Sequence, residues 1–363
     1  MNKNSRIYVA GHRGLVGSAI WRALEAKGYT NLIGRTHAEL DLMDYSAVRA
    51  FFEAELPEYV FLAAAFVGGI MANNTLRGDF IFKNLAIQQH VIGESKRIGV
   101  KKLLFLGSTC IYPANAPQPL VESSLLTSEL EYTNEPYAIA KIAGLKMCES
   151  FNLQYGTNFI SVMPTNLYGP GDNFHLEHSH VLPAMVRKFH LAHALEHGDW
   201  AMIRCDLTRR PISQIADAQS ASEREISDVL GQRYGIYANR VELWGSGRPM
   251  REFLWSEDMA QACVHVMEHI DFSDLTYGQT QVRNTHLNIG TGREISIAEL
   301  AHLVAQTVGY TGHIAFDSTK PDGTMRKLTD PSKLNSLGWH HTVELQEGVP
   351  LLYEWYCGDL AES

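Results

Sequence analysis

The segment RIYVAGHRGLVGSAIWRAL constrains this chain more than any other: a short apolar run stops at Gly11, glycines recur at Gly14 and Gly17, and a helix-spaced apolar pattern follows at once. Strand, tight turn and helix in that order let a bare backbone approach a dinucleotide pyrophosphate, whose charge then meets the helix N-terminus. A glycine triplet alone says little. The strand before it and the amphipathic helix after it supply the context that makes it a cofactor turn. The alternation continues through NLIG, YVFLAAA, a helix near Phe80 to Ile98, KKLLFLGS, the helix YAIAKIAGLKMCESFNLQYG and the strand NFISVMPTNLYGP. Strands separated by helices predict crossover connections and a parallel sheet.

Beyond Gly169 the pattern loosens, with strand-like RVELWG and HLNIGTG separated by helices such as SEDMAQACVHVMEHI. The predicted architecture is α/β: a doubly wound parallel sheet over residues 1–170 with a return segment near 250–290, and a smaller mixed α/β lobe over 171–363. A polar stretch at about 192–240 carries helix-spaced Ile212, Ile215, Ile226, Val229 and Leu230. It reads as a surface helical insertion or, more sharply, as a lid or oligomer contact.

The formal charge of −9 and the absence of a Lys/Arg run exclude nucleic acid and anionic membranes as expected partners. Five cysteines without CxxC spacing argue against a disulfide framework or a zinc ribbon. The polar start MNKNSRIYVAG has no secretory hydrophobic core, and no run of 18 apolar residues follows, so a cytoplasmic enzyme is expected. No metal is expected either: His178 and His180 in HSH lack a third ligand at helical spacing, and His340 and His341 read as a surface turn.

The second strand ends NLIGRT without the acidic residue that would accept the ribose hydroxyls of NAD. Arg35 there and Arg13 inside the glycine turn suit a 2′-phosphate, which favours NADPH. Asp41 is a candidate acceptor for the adenine amine. Tyr137 and Lys141 in EPYAIAKIAG share one helix face. With Ser108 at a strand end they can bind a ketone oxygen and protonate it, Lys141 lowering the phenol's pKa. Cys110 lies two residues beyond Ser108, where a thiolate can act as a base on carbons next to that ketone.

With the glycine turn, Ser108 and the YxxxK pair in place, the chain resembles the extended short-chain dehydrogenase/reductase family. AGHRGLVGSAI, AAAFVGGIMANN, LLFLGSTCIYP, NEPYAIAKIAG, MPTNLYGP, SHVLPA, WGSGRPMREFL and KPDGTMRKL together resemble the GDP-L-fucose synthases within it. That resemblance implies a Rossmann-type sheet, NADP(H), and 3,5-epimerisation with 4-reduction of GDP-4-keto-6-deoxy-D-mannose. It implies that Cys110 is the base and His180 the acid, although chemistry alone permits the reverse. Cofactor contacts fall to Gly11, His12, Arg13, Gly14, Leu15, Val16 and Gly17, to Arg35 and Asp41, and to Phe105, Leu106 and Gly107. Lys141, His180 and the strand end Pro164, Thr165, Asn166 and Leu167 complete that set. Substrate contacts fall to Lys188, Trp244, Arg251, Asp322 and Lys327; position 188 is lysine where the family commonly has arginine, and 192–240 is longer than the family pattern. A homodimer through helices of the nucleotide domain is also implied. The alternatives are an enzyme acting on another GDP-keto sugar, of the heptose or colitose kind, and a silent NADP-binding regulator, which would lack Tyr137 or Lys141.

Overall fold

The computed structural model describes residues 1–320 and 322–361, which form two compact units. The first comprises Met1–Leu167, Glu252–Arg293 and Leu328–Thr342; the second comprises Tyr168–Arg251, Glu294–Lys327 and Val343–Ser363.

The first unit is built on a six-stranded sheet. Its strands are β1 (Ile7–Ala10), β2 (Leu32–Ile33), β3 (Tyr59–Leu62), β4 (Lys102–Leu106), β5 (Phe159–Pro164) and a late strand, Leu287–Ile289. They lie in the order Leu287–Ile289, β5, β4, β3, β1, β2, and every pairing is parallel. Side chains alternate across the sheet as the pleat requires. Ile7, Val9, Leu104, Leu106, Ile160 and Val162 join one apolar cluster with Ile20 and Leu24 of helix α1 (Leu15–Ala26) and with the helix Ser256–His269. Tyr8, Leu103, Phe105, Phe159 and Met163 point the other way. There they meet α2 (Tyr45–Glu55), α4 (Arg77–Arg97) and α5 (Glu135–Tyr155); a short α3 (Ile70–Thr75) precedes α4. Both faces are covered, which is why the strands read as continuous apolar runs. This is the doubly wound parallel sheet that the sequence pattern predicts, and its strand order reverses between β1 and β3, the crevice where such sheets bind ligands.

The second unit packs α6 (Val181–His197) against α7 (Trp200–Arg209) and the helix Ile297–Val308. Strands Arg240–Trp244 and His313–Asp317 pair in parallel, and Met250–Arg251 lies between Ile295–Ser296 and Arg326–Lys327. The polar stretch at 192–240 folds into the end of α6, α7 and α8 (Glu223–Tyr234), and Ile212, Ile215, Ile226 and Leu230 are buried while Val229 is half-buried. It is tied down by an ion pair with no exposed surface: Arg187 Nε donates to Asp206 Oδ1 at 2.9 Å, and Tyr356 donates to the other oxygen.

Candidate active site

The glycine turn sits in the crevice. Gly11 has φ +83°, and a Cβ there would lie 2.8 Å from the Ala64 backbone nitrogen just after β3. A Cβ on Gly17 would run into the Gly11 carbonyl, so α1 starts directly against the turn. Exposed Gly14 is the N-cap of α1 and supplies no side-chain cap, so the first N–H groups of Leu15 and Val16 are left to a ligand or solvent. The His12 ring packs over Gly34 and lies 5.5 Å from Trp21; burial and then Arg13 depress its pKa.

At the end of β2, Arg35 is held by the Glu55 carboxylate, donates to the Gly34 carbonyl at 2.8 Å and stands over Phe51. Arg13 is exposed, and both arginines act on the Glu39 carboxylate, whose pKa is lowered first by bonds from Thr36. A 2′-phosphate placed here would therefore share Arg35 with Glu55. Asp41 Oδ1 accepts from the Met43 N–H at 2.9 Å, which makes it a turn brace.

The carboxyl end of β4 collects the reactive side chains. Ser108 caps a short 3₁₀ turn, Thr109–Ile111, and its Oγ accepts the Cys110 N–H at 3.3 Å. The serine and the cysteine two residues later thus belong to one turn. Lys141 Nζ donates to the Leu106 carbonyl at 2.8 Å and lies 4.9 Å from the Phe105 ring centroid and 5.7 Å from that of Tyr137. Cys110, 7% exposed, acts electrostatically on both Tyr137 and Lys141. Burial pushes the Lys141 ammonium down to about 8, partly offset by Cys110. Burial raises the Tyr137 phenol, and Cys110 raises it further. The expected lowering of the phenol by Lys141 is therefore not what this chain shows: both groups share one desolvated site, and desolvation opposes the charged form of each.

Gly107 follows, its N–H donating to Val162 at 2.8 Å. After Pro164 on the neighbouring strand end, Thr165 donates to Ile289 at 3.0 Å, half-buried Leu167 closes the run, and Asn166 Nδ2 donates to the Glu252 carbonyl at 2.8 Å. Sequence reasoning missed Glu252. It is fully buried, its Oε1 accepting from Thr291 N (2.6 Å) and Gly292 N (2.8 Å), its Oε2 from Thr329 N (2.9 Å) and Thr329 Oγ1 (2.6 Å). The signal was a lone carboxylate inside the apolar run REFLW.

In the second unit, His180 is the N-cap residue of α6 with extended backbone, its side chain caps nothing, and desolvation lowers its pKa below the ordinary 6.5. That direction favours the neutral imidazole. Lys188 donates to the carbonyls of Tyr234 (2.6 Å) and Glu242 (3.0 Å), and burial brings it down to about 8, so its ammonium is already engaged. Trp244, 65% exposed, Asp322 and Arg251 come together: Asp322 accepts from Ser246 N at 2.5 Å and Ser246 Oγ at 2.8 Å, next to Trp244, and Arg251 acts on its charge. Lys327 lies on the strand that pairs with Arg251.

A parallel sheet with its glycine turn at the switch crevice and a serine, tyrosine and lysine gathered at the end of β4 defines a nucleotide-dependent oxidoreductase of the short-chain type. Residues 7–222 and 212–290 match the NAD dependent epimerase/dehydratase family. GDP-L-fucose synthase 1 of Arabidopsis thaliana is 50% identical over 98% of this chain and 94% of its own length. The GDP-L-fucose synthase of Escherichia coli (strain K12) is 48% identical over 97% and 96%. Among solved structures, a GDP-mannoheptose C4 reductase from Campylobacter jejuni with NADP bound is 44% identical, with TM-score 0.87 over 98% of this chain and 99% of that one. The chain belongs to the NAD dependent epimerase/dehydratase family and, within it, to the GDP-L-fucose synthases. No helix among the described residues is long and apolar enough to cross a membrane.

Proposed function

We propose that this chain converts GDP-4-keto-6-deoxy-D-mannose to GDP-L-fucose with NADPH. The observation that carries the reading is the Cys110 thiol, fixed in the same turn as Ser108 and close enough to Tyr137 and Lys141 to perturb both. The hydrogens on C3 and C5 of the substrate are both alpha to the C4 ketone. Ser108 and Tyr137 donate to the ketone oxygen and stabilise the enolate that forms when a proton leaves either carbon. Cys110 takes that proton, and His180 returns one to the opposite face, inverting the centre. NADPH supplies the hydride that reduces C4, Tyr137 gives the oxygen its proton, and Lys141 holds the cofactor ribose. The glycine turn with Arg13 and Arg35 takes the phosphates of the cofactor; Trp244, Arg251 and Asp322, with Lys188 and Lys327, take the GDP.

The test is turnover in deuterated water. The expected product carries one solvent deuteron at C3 and one at C5, and Cys110→Ser still oxidises NADPH but yields product without that label. A wild-type product free of carbon-bound deuterium removes the epimerase reading. The 44% identity to a GDP-mannoheptose C4 reductase favours, as second reading, a GDP-4-keto-heptose substrate; a higher kcat/KM on that sugar would select it. The five cysteines are all unbridged, which fits a reducing cytoplasm. A homodimer through α4 and α5 is supported by exposed Phe82, Ile139 and Leu153 on those helices, and Phe82→Asp should shift sedimentation to the monomer.

A further inference from the structure

The last turns of α6 carry His193, Glu196 and His197, and helical spacing puts the three side chains along one edge. One nitrogen of each imidazole and one oxygen of Glu196 lie within 4.8 Å of one another. His197 Nδ1 is 2.9 Å from the His193 carbonyl and 4.0 Å from Glu196 Oε2, so this ring stands beside the carboxylate. His193 Nδ1 is buried, makes no hydrogen bond and faces Glu196 Oε2 at 3.8 Å. Glu196 is itself oriented: the Thr311 hydroxyl donates to Oε1, and the Thr311 N–H to Oε2 at 3.3 Å. This is the pattern of a metal site, with imidazoles and a carboxylate in front and outer partners aiming them.

We propose that His193, Glu196 and His197 bind one divalent transition-metal ion of the zinc class, at a site separate from the reductase chemistry. Two imidazoles and one carboxylate suit zinc, nickel or copper and do not suit magnesium or calcium, which take all-oxygen shells. An ion about 2.1 Å from each donor needs donors roughly 3.4 Å apart, reached by small side-chain rotations on the helix. Water fills the remaining positions. Through Glu196 and Thr311 the ion fastens the end of α6 to the segment leading into the strand His313–Asp317, so it stabilises the folded unit by mass action.

Tag-free protein in metal-free buffer is titrated with zinc against a chromophoric chelator, with thermal unfolding in parallel. One equivalent binds; His193→Ala and His197→Ala each weaken binding at least tenfold, and Thr311→Val weakens it about tenfold, as loss of an outer partner does. Zinc raises the Tm of the wild type and of His269→Ala, whose exposed histidine is on another helix, and leaves the Tm of the His193→Ala/His197→Ala protein unmoved. Magnesium does not compete. Less than one equivalent, binding that survives both histidine substitutions, or binding lost with Cys110→Ser overturns the proposal.

Discussion

Replacing Lys141 with methionine should abolish reduction and yet leave the protein no less stable at neutral pH. Lys141 is 4% exposed, and burial lowers its pKa from 10.5 to about 8. At about 1.36 kcal/mol per pH unit, holding the ammonium in the fold costs roughly 3 kcal/mol. Methionine of similar length removes that cost but leaves the Leu106 carbonyl without its 2.8 Å donor, a loss of roughly 1–3 kcal/mol. The net gain at pH 7 is about 0–2 kcal/mol. Because the folded pKa lies below the unfolded one, the unfolded chain binds more protons between about pH 8 and 10.5, so wild-type stability rises across that window. Below pH 8 the cost is present in full; above 10.5 it is gone. The gain from Lys141→Met should therefore shrink as pH climbs from 8 to 10.5 and turn into a deficit. Urea unfolding of both proteins at pH 7, 9 and 10.5 reads this directly, and Lys188, depressed to the same range, cancels in the difference. Destabilisation by more than about 1 kcal/mol at pH 7, or a difference that ignores pH, would refute the argument from desolvation.

Two further outcomes follow from other parts of the first unit. Glu252→Gln turns an amide toward Thr329, whose hydroxyl can rotate to accept while its N–H cannot; one buried donor is orphaned, at a cost of about 1–3 kcal/mol, and Glu252→Ala strips the acceptor from three backbone N–H groups and the Thr329 hydroxyl and costs more. Urea midpoints measure both, and a Glu252→Gln protein within 0.5 kcal/mol of wild type, a bound set by typical surface changes, defeats the account. Arg35→Ala should raise KM for NADPH by roughly tenfold or more while moving KM for NADH little if, as proposed, the guanidinium meets the extra phosphate; equal effects on both cofactors would mean that its tie to Glu55 is what matters.

What could be read from the sequence was what repeats locally. The glycine turn, the Tyr137/Lys141 face and the Ser108/Cys110 turn each depend on spacings of a few residues, and the structure gathers all of them around β1 and β4. What could not be read depends on partners far along the chain. Arg35 is answered by Glu55, Lys188 by the carbonyls of Tyr234 and Glu242, and Asp322 by Ser246, and none of these pairings leaves a periodic trace. The upward direction of the Tyr137 shift escaped for a related reason: charge is legible in a sequence, and dielectric surroundings are not.

The late arrival of the strand Leu287–Ile289 has a consequence for biogenesis. Until it is made, β5 is the sheet's bare border, with unpaired peptide groups and an apolar flank on view. At about 5–20 residues per second a ribosome needs roughly 6–25 s to travel from Pro164 to Leu287. For that interval the nascent polypeptide displays a template for intermolecular association, so its yield in a cell should follow chaperone supply, and fragments ending before Leu287 should precipitate.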